Sequence, residues 1–412
     1  MRHSLLRYGG MSSNDAFDDW QQQVDYSWLL DPLSTQRFEE DYYQRSCCLV
    51  AREQPDYYQT VLSTDNLDSI LGTHATKYPE VSLVRGDDSI DASVYTNSSG
   101  TIDPLQVVKQ FDDGATIVFQ GLHRSVPALA HICAVVGRHF TSRIQANAYL
   151  TPTNAQGFRP HWDTHDVFVM QIFGRKRWVT YESPLRLPLR GQKCNPDIDQ
   201  PGPVLQEFEL GPGDLVYLPR GLMHAAHSTD KFSLHVTLGL LGFTWADWLT
   251  ECVAAAALED VTLRQHLPIG FAGPDFPADQ RQKLMREKLL ILEENLASQR
   301  VWEHFSNEVV STNKPVFKDL LKNRFEPFSV ELESVVRRQL EVLTYVLPAT
   351  GQCVMRFCGQ ELILPAGVQV VADYIANTND GFKVQDLPDC LDSEGKLRLV
   401  KRLVVEGVLK IC

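Results

Sequence analysis

Several signatures are missing from the 412 residues. There is no Gly-x-x-x-x-Gly-Lys phosphate loop, no Gly-x-Gly-x-x-Gly turn, no Gly-x-Ser-x-Gly elbow and no His-Glu-x-x-His pair. Nucleotide-driven, hydride-transfer and serine-hydrolase chemistries therefore have no anchor. The nine cysteines are odd in number and scattered, with no Cys-x-x-Cys among them, which suits a reducing cytoplasm better than a disulfide framework or a zinc ribbon. No apolar run approaches the length of a membrane span, and Met1-Arg-His-Ser-Leu-Leu-Arg-Tyr8 is too short in apolar residues for a signal peptide. Met11 is an alternative start to Met1. Positive charge is also scarce: a formal net charge of −13 argues against the clustered Lys and Arg that phosphate contacts require, so no direct nucleic-acid binding is expected.

What is present is an ordinary globular composition, 43% hydrophobic and 22% charged, on a chain long enough for two or three domains. Its most informative segment is His161-Trp-Asp163, followed after a long gap by His224. Two imidazoles and one carboxylate leave part of a metal's coordination sphere open, as non-haem Fe(II) oxygenases require. Alternate residues of a strand share a face, so a strand over this segment would let His161 and Asp163 grip one ion while Trp162 points away. The context is strand-like. Val167-Phe-Val-Met-Gln-Ile-Phe173 has buried-strand length and stops at Gly174, and Lys176 and Trp178 follow on one face. Gly211-Pro-Gly-Asp214 turns into another apolar strand, which Pro219-Arg-Gly221 breaks just before His224. Short strands punctuated by Gly and Pro suit a small barrel or jelly roll with a ligand-binding mouth. His165, His227 and His235 compete with His224 for the third ligand position. Lys176 reads either as an exposed hairpin lysine between Arg175 and Arg177 or as a cation placed for an anionic co-substrate.

The stretches Asn147-Ala-Tyr149-Leu-Thr-Pro152, Gln156-Gly157, Pro160-His-Trp-Asp-Thr-His-Asp-Val-Phe168, Gln171, Gly174-Arg-Lys-Arg-Trp178 and Gly213-Asp-Leu-Val-Tyr-Leu-Pro-Arg-Gly221 resemble the cupin-type JmjC hydroxylases of the ribosomal oxygenase family. Phe38-Glu-Glu-Asp-Tyr-Tyr43 resembles that family's N-terminal helix, and Gly114 to His123 the strand-to-helix passage before its barrel. The resemblance implies an α+β fold: a double-stranded β-helix (jelly-roll, cupin) with N-terminal helices, then a helical dimerisation region and a winged-helix-like C-terminal domain. It also implies Fe(II) ligands at His161, Asp163 and His224, with Lys176 pairing the distal carboxylate of 2-oxoglutarate and Asn147 and Tyr149 lining the pocket. His235 then reads as a residue facing the same cavity or as a hydrogen-bonded core histidine, and His165 as a turn or rim residue.

Along the chain, residues 1–16 read as a disordered N-terminus and 17–243 as the catalytic domain, with a polar surface loop or hairpin from Gly86 to Gly100. Residues 244–312 read as the helical domain. Its helix formers Trp245 to Leu258 and the stripe Met285, Leu289, Leu292, Leu296 behind Pro277 are the segment that the resemblance makes a homodimer interface. Residues 313–412 hold a hairpin around Gly359-Gln360, a helix from Ala366 to Ala376 and a capped helix from Asp392 to Glu406 ended by Gly407. Lys396, Arg398, Lys401 and Arg402 lie on the last helix, but Ala366 onward carries seven acidic against six basic side chains. The module therefore reads as structural or interacting and not as DNA-binding.

The function expected from all this is hydroxylation of a protein or peptide side chain, histidine or arginine of a ribosomal protein by the resemblance. It is coupled to conversion of 2-oxoglutarate to succinate and CO2. Three alternatives stand beside it: a related oxygenase acting on a ribosomally made peptide or small metabolite, a zinc or manganese cupin enzyme, and a non-catalytic binding protein.

Overall fold

The computed structural model describes residues 13–412 apart from 74, 87, 230, 295–297, 313–320, 326–328 and 340. The alternative start at Met11 and the stripe residue Leu296 lie outside the described residues. The first segment is not structureless throughout: helix α1 (Ser13–Gln23) begins inside the stretch expected to be disordered. Its aromatic residues hold it in place, Phe17 stacking on Trp20 and Trp20 packing on Trp28 and His131.

Helices α2 (Tyr26–Leu30), α3 (Thr35–Asp41), α4 (Thr64–Thr73), α5 (Pro104–Asp112) and α6 (Pro127–Phe140) flank two facing sheets. The strands are β1 (Cys48–Val50), β2 (Val81–Arg85), β3 (Asp88–Ser89), β4 (Thr116–Phe119), β5 (Arg143–Thr151), β6 (Gln156–His161), β7 (Asp166–Phe173), β8 (Lys176–Tyr181), β9 (Val204–Leu210), β10 (Leu215–Leu218), β11 (Met223–Ser228) and β12 (Ser233–Leu241). One sheet runs β1-β10-β7-β12-β5-β4-β2-β3 and the other β6-β11-β8-β9, with antiparallel pairing in both.

Strand β7 shows why its sequence is a continuous apolar run. It lies between β10 and β12 with both faces covered. Phe168 and Met170 pack into the main core with Phe38 of α3 and Leu129 and Ile132 of α6, whereas Val167 and Val169 face the interior with Trp178, Leu210 and Leu218. The turns are set by backbone conformation. Gly174 ends β7 at φ 64° where a Cβ would lie 2.0 Å from the Phe232 carbonyl oxygen, and Gly213 precedes β10 at φ 89° where one would lie 2.0 Å from that of Gln54. No other residue fits either position.

After β12 the chain becomes helical: α7 (Trp245–Glu259), opened by a capping box between Thr244 and Asp247, then α8 (Ala278–Glu294) and α9 (Ser298–Thr312). The short helix α10 (Lys322–Phe325) precedes β13 (Val335–Arg338), β14 (Thr344–Ala349), β15 (Gln352–Phe357), β16 (Gln360–Pro365), α11 (Gln369–Asn377), β17 (Phe382–Lys383), α12 (Ser393–Val405) and β18 (Leu409–Ile411). The hairpin turns at Cys358 and Gly359, both at positive φ, and β14 adds a third strand beside it. Asp392 caps α12 through the Gly395 N–H at 2.8 Å. Lys396 is not a free surface cation. It is buried and bonded to the Gln385 carbonyl and Asp389, while Arg398 and Arg402 pair with Glu394 and Glu406. Among the described residues no helix is long and apolar enough to cross a membrane, and all nine cysteines are free thiols.

Candidate metal centre

Strand register assembles the site. His161 and His224 are direct cross-strand partners on β6 and β11, so residues sixty-three apart in sequence meet with ring centroids 4.6 Å apart. Asp163 does not share a strand face with His161, because β6 ends at His161. It sits in the following turn, where its carbonyl accepts the Gly221 N–H at 2.9 Å. That bond ties the carboxylate turn to the Pro-Arg-Gly break before His224. The ligand atoms of His161, Asp163 and His224 all lie within 4.8 Å of one another, with His224 Nε2 3.9 Å from Asp163 Oδ2.

Each histidine is held in a coordinating tautomer. His161 Nδ1 lies 2.8 Å from the Arg159 carbonyl and His224 Nδ1 2.9 Å from the Leu222 carbonyl. A carbonyl only accepts, so each Nδ1 carries the proton and each Nε2 offers its lone pair to the shared point. Burial, reinforced by neighbouring His161, pushes the pKa of His224 below that of a free imidazole and keeps the ring neutral, as a metal ligand must be. The donor set and its orientation fit a divalent cation.

The competing histidines separate by position. His227 is three residues beyond His224 and so on the opposite strand face. His165 lines a different cavity and packs its ring where a Cβ on Gly239 would lie, 2.7 Å away. His235 lines the same chamber as the triad.

That chamber, about 250 Å3, draws Thr116, Tyr149, Val169 and Thr237 from one sheet and Phe158, Lys176, Trp178 and Ala226 from the other. Lys176 is 4% exposed, so the exposed-hairpin reading is excluded. Arg175 and Arg177 carry the surface charge there, paired with Glu209 and Glu207. The Lys176 ammonium bonds Thr151 Oγ1 at 3.0 Å. Burial alone lowers its pKa to about 7, so no carboxylate among the described residues compensates its charge. Tyr149, pushed up to about 12 chiefly by burial, keeps its proton. Asn147 stands behind the chamber wall: its Oδ1 accepts from the Gly121 N–H at 2.9 Å and from Gln145 Nε2 at 3.2 Å, and its side chain hydrogen-bonds the chamber-lining Tyr149. The threonines that seat Lys176, Thr151 and its partner Thr116 at 3.3 Å, escaped sequence reasoning because lone threonines on strands carry no signal.

Residues 122–248, from the start of the passage before α6 to the first turn of α7, match the JmjC domain family. Over 257 residues the chain is 32% identical to the bifunctional lysine-specific demethylase and histidyl-hydroxylase NO66 of Drosophila melanogaster, covering 59% of this chain and 38% of that protein. The NO66 of Drosophila mojavensis is 30% identical over 280 residues, 63% of this chain and 31% of that one. The chain thus spans about a third of the length of these relatives. In fold, it is similar to the Escherichia coli ribosomal oxygenase YcfD, with a TM-score of 0.54 at 16% identity over 92% of this chain and 98% of that one. A YcfD structure in complex with cobalt and 2-oxoglutarate superposes with a TM-score of 0.52, again at 16% identity over 92% and 98% of the two chains. The likeness over nine-tenths of the chain shows a shared overall fold.

Proposed function

We propose that this chain is an Fe(II)- and 2-oxoglutarate-dependent oxygenase that hydroxylates a side chain of a protein or peptide. One observation carries the reading: a convergent two-histidine, one-carboxylate set shares a 250 Å3 chamber with a buried lysine that lacks a counter-charge. A dicarboxylate held at one end by the metal supplies the missing charge at the other. A zinc or manganese isomerase or hydrolase leaves that lysine without purpose. Fe(II) with 2-oxoglutarate supplies the oxidant for an unactivated C–H bond, with succinate and CO2 as co-products. His161, Asp163 and His224 would hold the metal, Lys176 would orient the co-substrate, and the apolar walls Val167, Val169 and Trp178 exclude water.

A second cavity of about 420 Å3, lined by Thr164, Arg220, Trp245, Trp248 and Trp302 among others, is separate from the metal chamber. NO66 is named a lysine-specific demethylase and histidyl-hydroxylase and YcfD a ribosomal oxygenase, and a ribosomal-protein histidine or arginine is the first substrate to try. The free thiols suit the cytoplasm. The helical region would form a homodimer, and the C-terminal segment a winged-helix-like module without nucleic-acid contacts.

Succinate release from 2-oxoglutarate, measured with Fe(II) and with ribosomal protein fragments or a small-metabolite pool, tests the reading. Release stimulated by the protein fraction and abolished in Asp163→Ala is expected. Turnover that needs neither oxygen nor 2-oxoglutarate would overturn it.

A further inference from the structure

His235 on β12 is a polar side chain that neither the metal triad nor Lys176 accounts for. It is 4% exposed, yet it lines the chamber together with Lys176. Its position is fixed from two sides. Tyr149, its cross-strand partner on β5, stacks on it with centroids 4.8 Å apart and planes 5° apart, and Trp178 meets it edge-on at 5.9 Å and 82°. The ring cannot turn away without losing both contacts.

Nδ1 is sealed from solvent and has no hydrogen-bond partner among the described residues, so the edge that the ring turns to the chamber is its outer one, at Nε2. A chamber ligand that reaches Nε2 would give the ring a polar contact that no described residue provides. Burial and the nearby Lys176 charge hold the imidazole neutral. With neither a donor nor an acceptor beside Nδ1, the tautomer is set at Nε2, which carries the proton and donates when an acceptor oxygen faces it. Lys176 spends one of its three protons on Thr151, and a carboxylate presents two oxygens.

Resting on the reading of this chamber as a 2-oxoglutarate site, we propose that His235 is a positioning residue that donates from Nε2 to the distal carboxylate, so that Lys176 and His235 together select a dicarboxylate over a monocarboxylate 2-oxo acid. Tyr149 and Trp178 act through His235 by fixing its plane. A merely structural histidine would affect both kinds of acid alike.

Calorimetric titration of the Mn(II)-loaded protein without oxygen, with 2-oxoglutarate and with 2-oxobutyrate, separates the two roles. His235→Ala is expected to weaken 2-oxoglutarate by about tenfold or more, the loss of one hydrogen bond to a charged group, and to leave 2-oxobutyrate unchanged. His235→Gln, which keeps an N–H donor, is expected to recover part of the loss and also serves if the alanine variant does not fold. Equal losses for both acids, or none, with the parent binding 2-oxoglutarate, would overturn the role of His235. A parent that binds no 2-oxoglutarate would overturn the underlying reading as well.

Discussion

At the scale of single residues, Lys176 makes the most specific demand on the chemistry. Its ammonium is disfavoured by burial and its pKa falls from 10.5 to about 7, whereas a bound carboxylate would restore the charge. Binding then takes up a proton as pH rises through 7, and 2-oxoglutarate affinity is expected to fall by up to about tenfold per pH unit above it. Calorimetry at about pH 6 and about pH 8 checks this, and an unchanged Kd would contradict it. The same shift acts on stability with its own sign. The folded-state pKa lies below the unfolded one, so the penalty of the buried charge is full below pH 7, and stability rises between about 7 and 10.5 as the unfolded chain holds the extra proton. His161 and Asp163 were legible in sequence from their motif, whereas His224 among its competitors and Lys176 against its exposed-hairpin reading were assigned through the family resemblance. The exact seat of Asp163 was not legible, since its placement depends on the long-range Gly221 bond. Arg52 was equally invisible. It is buried, with its guanidinium donating to the carbonyls of Leu29, Asp31 and Gly213 and to the Tyr58 hydroxyl, and nothing local in the sequence announces such a hub.

At the scale of elements, β7 divides the molecule's two interiors. Phe168 is fully buried among Phe38, Phe140 and Tyr217, on the face away from the chamber. Phe168→Ala is therefore expected to cost about 3–5 kcal/mol of stability while leaving metal affinity of the folded fraction unchanged, read by denaturant unfolding beside metal titration. A loss of under about 1 kcal/mol would mean that the core has repacked. Strands bounded by Gly and Pro, such as β7, β8 and β10, could be read from periodicity. The short edge strands β1 and β3, which owe their extended state to the pairing of β1 with β10 and β3 with β2, could not, because three or two residues carry no period.

At the scale of the whole molecule, the helical region leaves apolar surface uncovered. On α8, Met285, Leu289 and Leu290 are 58%, 55% and 59% exposed, and α7 shows Trp245 and Leu249 likewise. A homodimer through these faces predicts that Leu289→Glu shifts sedimentation from dimer to monomer with folding intact; a parent that sediments as a monomer would contradict it. The C-terminal segment is fastened to helices α1 and α6 by Glu341, which meets His131 Nδ1 at 3.0 Å and Gln21 Nε2 at 2.6 Å, a junction between segments that sequence pattern alone does not pair. The account as a whole stands on iron and a keto acid sharing one chamber. Anaerobic addition of Fe(II) and 2-oxoglutarate tests this most directly through the metal-to-ligand charge-transfer band. The parent is expected to show the band, His161→Ala to lose it and Lys176→Ala to need far more 2-oxoglutarate to reach it; a parent without the band, or a His161→Ala variant that keeps it, would contradict the account.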